Sequence, residues 1–221
     1  MTTLRDLINA GPAKRPLGIH ARAQEALDGA HHWHHAPARC VGCYDTGLGA
    51  STLHLHYFLN MIREATAADW PNIWPIFSEI TEGGDTYAYA IDTDRAAAET
   101  LWMTKPDRTF VLEENGEILA TYYLKTNQDG PGKHVCNCGY MVTSTARGRG
   151  LAQKMCLHSQ SIAIEMGYRA MQFNFVASSN EIAVSLWKKL GFAIVGTLPR
   201  AFNHPTLGLI DAVIMYKWLA D

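Results

Sequence analysis

The sequence predicts an α/β fold, a mixed sheet with helices on both faces, and three observations carry that prediction. Arg169 to Ala177 is a nearly continuous apolar run interrupted by Gln172 and Asn174, the pattern of a central strand buried on both sides. Leu151, Met155, Ile162 and Met166 recur at helical spacing just before it, so a long amphipathic helix precedes that strand. Further upstream, Thr109 to Leu112 and Glu117 to Lys125 flank Glu114-Asn115-Gly116, an Asn-Gly turn signal that makes them a hairpin.

The remaining elements fall in order around these. Residues 1 to about 57 show no sustained periodicity, and Pro12, Pro16, Pro37 and four glycines between Gly29 and Gly49 interrupt them. We therefore expect a poorly structured extension over 1–60 and a compact domain over 61–221, with deletion of 1–57 leaving folding and activity intact. Ile62 to Ala65 reads as a short strand. Ala67 to Ile80 reads as a helix led in by Thr66, with Pro71 in its first turn and Pro75 as a point of kink or restart. Thr81 to Thr93 is a loop carrying Gly and Tyr, and Asp94 to Met103 a second helix capped by Thr93 or Asp94. A Gly- and Pro-rich loop, Asn127 to Lys133, leads into the strand His134 to Thr143. Gly167 ends the long helix that follows. Ile182, Leu186 and Leu190 form the stripe of the last helix, stopped by Gly191, and Phe192 to Leu198 and Ile210 to Trp218 complete the sheet.

Composition narrows the function. With 48% apolar and 18% charged residues, the chain of 221 residues can bury a sizeable core. A net charge of −2 supplies no broad basic field, so neither nucleic acid nor an anionic membrane is expected as main partner. No apolar run approaches a spanning helix and no signal-peptide core stands at the N-terminus, which points to the cytoplasm. The five cysteines form no disulfide framework. His31, His32, His34 and His35 precede Cys40 and Cys43, but the second half of a closed zinc site is missing, so no metal is assigned.

The informative stretch is Arg147-Gly148-Arg149-Gly150-Leu151-Ala152, between the strand-like Tyr140-Met141-Val142 and the long helix. Glycines let the backbone approach a ligand, the turn offers several N–H groups, and the helix adds the positive end of its dipole. This is a cradle for a pyrophosphate that needs neither a lysine inside the loop nor a metal. It fits neither the Walker loop nor the dinucleotide fingerprint.

The pattern Arg147-x-x-Gly150-x-Ala152 instead resembles the acetyl-CoA pyrophosphate loop of the GCN5-related N-acetyltransferases, the GNAT superfamily. Asn180-Glu181-Ile182-Ala183, followed by a helix closing on Gly191-Phe192, resembles the next signature of that family. Cys136-Asn137-Cys138-Gly139-Tyr140-Met141-Val142, Phe173-Asn174-Phe175-Val176 and the helix bearing Trp187 are similar to the fungal enzymes that acetylate azetidine-2-carboxylate, a proline analogue.

The resemblance implies a GNAT-type sheet whose strand at Tyr140 to Val142 splays from Phe173 to Val176. Acetyl-CoA would then dock on Arg147, Gly148, Arg149, Gly150, Leu151 and Ala152. Its arm would run past Asn180, Ala183 and Trp187, and Met141 or Val142 would donate an N–H to the thioester oxygen. Asn137 and Asn174 would serve substrate binding and catalysis, as subfamily asparagines do. Three residues carry a second reading. Ser178 and Glu181 make a capping box that would leave Asn180 in the first helical turn, and the other reading of Asn137 and Asn174 is as satisfied amides of the core.

Trp187 departs from the family, which mostly carries a tyrosine there to protonate the leaving thiolate; an indole N–H donates but is no acid near neutral pH, so a water, another tyrosine or no acid at all would serve instead. No base declares itself either. Glu79, Glu82, Asp85 and His134 are the candidates, beside a water relay. The expected function is acetyl transfer from acetyl-CoA to a small amine such as an amino acid or a proline-like analogue. A non-catalytic acyl-CoA sensor is the alternative, and a peptide or protein N-terminus is a weaker choice of acceptor. The sequence leaves a homodimer open.

Overall fold

A computed structural model of the protein describes residues 61–219. The extension expected over 1–60 and its His/Cys cluster lie outside the described residues.

β1 (Ile62–Glu64) is followed by a 3₁₀ turn, Ala67–Asp69, and then by α1 (Trp70–Gly83). Thr66 and Asp69 form a capping box at the turn, in which the Thr66 N–H donates to Asp69 Oδ2 at 2.7 Å. Pro75 neither breaks nor restarts α1, which runs on three residues past the expected end, to Gly83; Gly84 at φ 62 stops it. The second expected helix is α2 (Arg95–Glu99), capped by Asp94, which accepts from the Ala97 N–H at 2.8 Å. It does not continue as an α-helix to Met103. Thr100–Thr104 is a π-turn, closed by the Lys105 N–H on the Thr100 carbonyl at 2.9 Å. Trp102 in this wider turn reaches the core, where its Nε1 donates to Thr121 Oγ1 at 3.0 Å.

β2 (Arg108–Glu114) and β3 (Glu117–Thr126) form the expected hairpin, turned by Asn115 and Gly116, both at positive φ. β4 (Val135–Val142) leads to α3 (Leu151–Glu165), and β5 (Ala170–Ala177) to α4 (Glu181–Lys189). A long hairpin of β6 (Ala193–His204) and β7 (Gly208–Trp218) closes the chain. The seven strands lie in one sheet in the order β1-β2-β3-β4-β5-β7-β6, and only β4 and β5 are parallel neighbours.

Helices cover both faces, as expected, and β3 shows why. Its alternating side chains send Tyr122 and Leu124 into a core with Leu151, Met155 and Trp187, and Tyr123 into a second core with Ile73, Phe77 and Trp102. α4 docks differently from the expected stripe. Ile182 is 86% exposed, while Trp187 is buried and Ala183, Leu186 and Leu190 pack beside it. No helix among the described residues is long and apolar enough to cross a membrane.

Candidate active site

The site begins where the sheet comes apart. β4 and β5 pair at Val135↔Ala170, Cys136↔Met171 and Asn137↔Gln172, and no further. From Cys138 and Phe173 onward the two strands diverge. β5 also loses register with β7 between Phe173 and Val176, and Asn174 is exposed. β5 is therefore central in the sheet but buried on both sides only in its first half.

Backbone parity decides which groups of β4 face this gap. Thr143 donates its N–H to Leu119 of β3, and the Val135 carbonyl accepts from Asn127. Because N–H and C=O alternate edges along a strand, the odd residues of β4 face β3 and the even ones face the gap. The N–H of Met141 is thus directed to β3, opposite Thr121, and its side chain is buried; it cannot serve the gap. Val142 faces the gap, and so does Tyr140, which the sequence did not single out.

β4 then feeds the anion turn. Gly148 and Gly150 adopt φ of 76° and 75°, and no atom stands within 4 Å of where a Cβ would lie on either. Glycine here serves backbone conformation, and the space above the turn is open. Gly150 caps α3, whose first N–H groups have no partner within the helix. Leu151 is buried and Ala152 packs against the core, so each can offer an N–H but no side chain to a ligand. Arg147 is exposed, whereas Arg149 is ion-paired with Glu114 at the end of the β2–β3 hairpin. The turn can hold a polyanion through its backbone, with Arg147 as the nearer charge.

The gap itself holds a cavity of about 280 Å³, lined by residues of both β4 and β5. One end is bounded by Asn180, Ala183 and Trp187 of α4, the other by Tyr87, Tyr89, Tyr123 and Lys125, with Asn137 and Gly139 between. Tyr87 and Tyr89 stack at 5.5 Å, and Trp102 stands edge-on to Tyr123 at 4.9 Å. A Cβ on Gly139 would lie 2.6 Å from Tyr123 Cε1 and 3.1 Å from the Tyr87 hydroxyl, so these two rings occupy the room a side chain would take. The Tyr87 hydroxyl donates to the Tyr140 carbonyl at 2.8 Å, on the gap edge of β4. Burial pushes the phenols of Tyr87, Tyr89 and Tyr123 above their ordinary range, so all three stay neutral at physiological pH.

The two asparagines differ in setting. Asn137 is buried; its Oδ1 accepts from the Tyr123 hydroxyl at 3.0 Å and its Nδ2 donates to the Gln172 carbonyl at 2.9 Å. It therefore clamps the last ladder pair and aims Tyr123. Asn174 is exposed at the rim, donating to Asn127 at 2.7 Å and accepting from Gln172 at 2.8 Å. Asn180 is not inside the first turn of α4: it is the N-cap, its Oδ1 accepting from the Ala183 N–H at 3.1 Å, with the amide on the cavity wall. Trp187 packs between Tyr140 and Phe173, each at 5.1 Å, and lines the cavity.

None of the four candidate bases lines the cavity. Glu79 faces the Ser144 N–H at 3.4 Å, and hydrogen bonding to Ser144 holds its carboxyl below the usual range, which makes it a weaker base. Glu82 accepts from Ser78 and Asp85 from Thr86, while His134 is exposed beside Trp218. The groups that do line it, Tyr87, Tyr89, Tyr123 and Lys125, escaped sequence reading. The available signals were the Tyr-Ala-Tyr alternation of Tyr87 to Tyr89 and a glycine inside a strand, Gly139, which marks close approach by a neighbour.

Comparison with known proteins agrees with this geometry. The model of the acetyltransferase (GNAT) family matches residues 59–192. The N-acetyltransferase aca1 of Schizosaccharomyces pombe is 29% identical over 109 residues, 48% of this chain; the match spans about half, 51%, of that protein's own length. A GCN5-related N-acetyltransferase from Kribbella flavida is 41% identical with a TM-score of 0.69, over 72% of this chain and 96% of that one. A phosphinothricin acetyltransferase from Sinorhizobium meliloti, in complex with AcCoA, shares the fold at 18% identity and a TM-score of 0.64, over 72% and 88% of the two chains. A strand that parts from β5 after Asn137 and feeds a glycine turn, together with the family match over residues 59–192, places the chain in the acetyltransferase (GNAT) family.

Proposed function

We propose that the protein transfers the acetyl group of acetyl-CoA to the nitrogen of a small amine by direct attack on the thioester. The observation that carries this reading is that one strand, β4, supplies both the open edge at Tyr140 and Val142 and the glycine turn that follows. Backbone N–H groups of Arg147 to Ala152 take the pyrophosphate, and the arm enters the gap beside Asn180, Ala183 and Trp187. The N–H of Tyr140 or Val142 then lies where the thioester oxygen gains negative charge, and a donor fixed there stabilises the tetrahedral intermediate without reorganising. The amine enters from the tyrosine end, with Asn137 acting through Tyr123 and Asn174 at the rim. Asparagine accepts no proton at neutral pH, so both orient the acceptor and neither is a base. An amino acid or a proline-like analogue fits a cavity of about 280 Å³ with Lys125 at its wall. The relatives above and the AcCoA complex of the Sinorhizobium enzyme support the choice of donor. No metal enters the scheme, and with acetyl-CoA as donor we assign the reaction to the cytoplasm, by a monomer or a homodimer.

Calorimetric titration with acetyl-CoA tests the reading: saturable binding is expected, and no heat at millimolar ligand overturns it. Among the described residues no carboxylate or imidazole lines the cavity, which favours a second reading, a sensor that binds acyl-CoA without turnover. An amine screen that detects released thiol separates the two, since tight binding with no turnover on any amine supports the sensor.

A further inference from the structure

We infer that Tyr87 carries the proton from the attacking nitrogen to the departing sulfur. The inference rests on the acetyltransferase reading and adds a residue to it. Sulfur departure calls for a proton near the gap, and Trp187, facing it from α4, has only an indole N–H. Among the described residues no carboxylate or imidazole lines the cavity, so the donor has to be a hydroxyl, a thiol, the Lys125 ammonium or water.

The hydroxyls sort by where they are engaged. Tyr122 pairs with His158 at 2.7 Å, Tyr140 with Ser159 at 2.7 Å, Tyr123 with Asn137 at 3.0 Å and Tyr89 with Tyr123, none of them with a backbone group of β4. Tyr87 alone among these is hydrogen-bonded to the gap edge of β4, at the Tyr140 carbonyl. Tyr140 directs its N–H and C=O to the same side of β4, so the Tyr87 oxygen lies next to the backbone donor that faces the thioester. The ring is fixed by Tyr89 stacked on it at 5.5 Å and by Trp102 edge-on at 6.1 Å, while the missing side chain of Gly139 gives the hydroxyl its clearance.

The step balances without an ionised phenol. Attack forms the C–N bond and leaves a tetrahedral carbon bearing O⁻, with a positive N–H on the former amine. As the intermediate collapses the C–S bond breaks and the carbonyl reforms. The phenol then gives its proton to sulfur while taking the proton from nitrogen, so amide and CoA thiol leave and Tyr87 is unchanged. Burial, which keeps this phenol neutral, suits a relay and would hinder a base.

Y87F keeps the ring and removes only the hydroxyl. With an amine that the unaltered chain acetylates, kcat is expected to fall about 10²-fold, the usual contribution of a positioned proton donor, with the KM for acetyl-CoA within about twofold. Single-turnover rates of the unaltered chain should depend quadratically on deuterium fraction, as two protons in flight require, and that curvature should vanish in Y87F. A kcat within about threefold of the unaltered chain, or a linear deuterium dependence in that chain, overturns the assignment; the second measurement needs no variant. Turnover that survives Y87F sinks only Tyr87, whereas an unaltered chain that acetylates no amine overturns the acetyltransferase reading itself.

Discussion

The glycine turn after β4 and the tyrosine end of the cavity, which packs against Gly139 of that strand, are built in opposite ways. At Gly148 and Gly150 nothing stands within 4 Å of a would-be Cβ, and glycine frees its own backbone to take a left-handed conformation. At Gly139 the backbone is an ordinary strand, and the absent side chain frees the neighbours, Tyr123 and Tyr87. The turn offers N–H groups whose positions depend on local dihedral angles. The tyrosine end offers hydroxyls whose positions depend on packing among the loop after α1, β3 and β4. Substitutions should therefore hurt the turn through conformation and the cavity through crowding.

The sharpest test of that contrast is G139A. A methyl 2.6 Å from the Tyr123 ring forces the ring or the strand to move, and overpacking of this kind typically takes about 1–3 kcal/mol from stability. We expect a lowered melting temperature and loss of nearly all turnover, with acetyl-CoA binding by calorimetry least affected. An active G139A protein with an unchanged thermal midpoint would break the comparison.

N137A should come next. Its loss leaves the Tyr123 hydroxyl and the Gln172 carbonyl without their partner, at about 1–3 kcal/mol for buried polar groups. Thermal midpoint and kcat/KM should fall together, while N174A, at the exposed rim, should spare the midpoint and raise the acceptor KM. If N174A proved the more destabilising of the two, Asn137 would not be the clamp at the opening of the sheet.

G148A probes the other side. With open space around it the only penalty is the left-handed backbone, about 1–2 kcal/mol, and the affected quantity should be acetyl-CoA affinity rather than acceptor KM. The smallest effect is expected at the cap of α4. N180D preserves the acceptor for the Ala183 N–H and suits a helix N-terminus, so the midpoint should hold within about 0.5 kcal/mol; N180A should lose about 1 kcal/mol. Both should weaken acetyl-CoA if the amide nitrogen contacts the arm, and undiminished affinity in both leaves Asn180 a cap alone.

The same contrast explains what could be read from the sequence. The turn is six consecutive residues, and its left-handed glycines and the helix start after them follow from local sequence, so the shape of Arg147 to Ala152 was legible as a unit. The tyrosine end joins residues 87, 123 and 139, and nothing local to any of them announces the others. The β2–β3 hairpin was legible because Asn115 and Gly116 are a local signal. The stripe of α4 was misread at Ile182 because a short helix offers two overlapping spacings, and Trp187 rather than Ile182 meets Tyr140 and Phe173. The choice between Met141 and Val142 needed one fact absent from the sequence, namely which strand lies on which edge.

Edge assignment on β4 carries a consequence for how this strand can change over time. Odd residues face β3 and even residues face the gap, while the same alternation sends the Tyr123-facing Gly139 to one face and the Tyr140 ring to the other. A single residue inserted between Asn137 and Tyr140 would exchange both sets together: the donors would enter the ladder, and a side chain would replace the glycine under the tyrosines. Two inserted residues would restore both. β4 thus behaves like a text with a two-letter reading frame, in which a single inserted residue keeps the frame only where a bulge absorbs it, as at the register shift of β2 against β3.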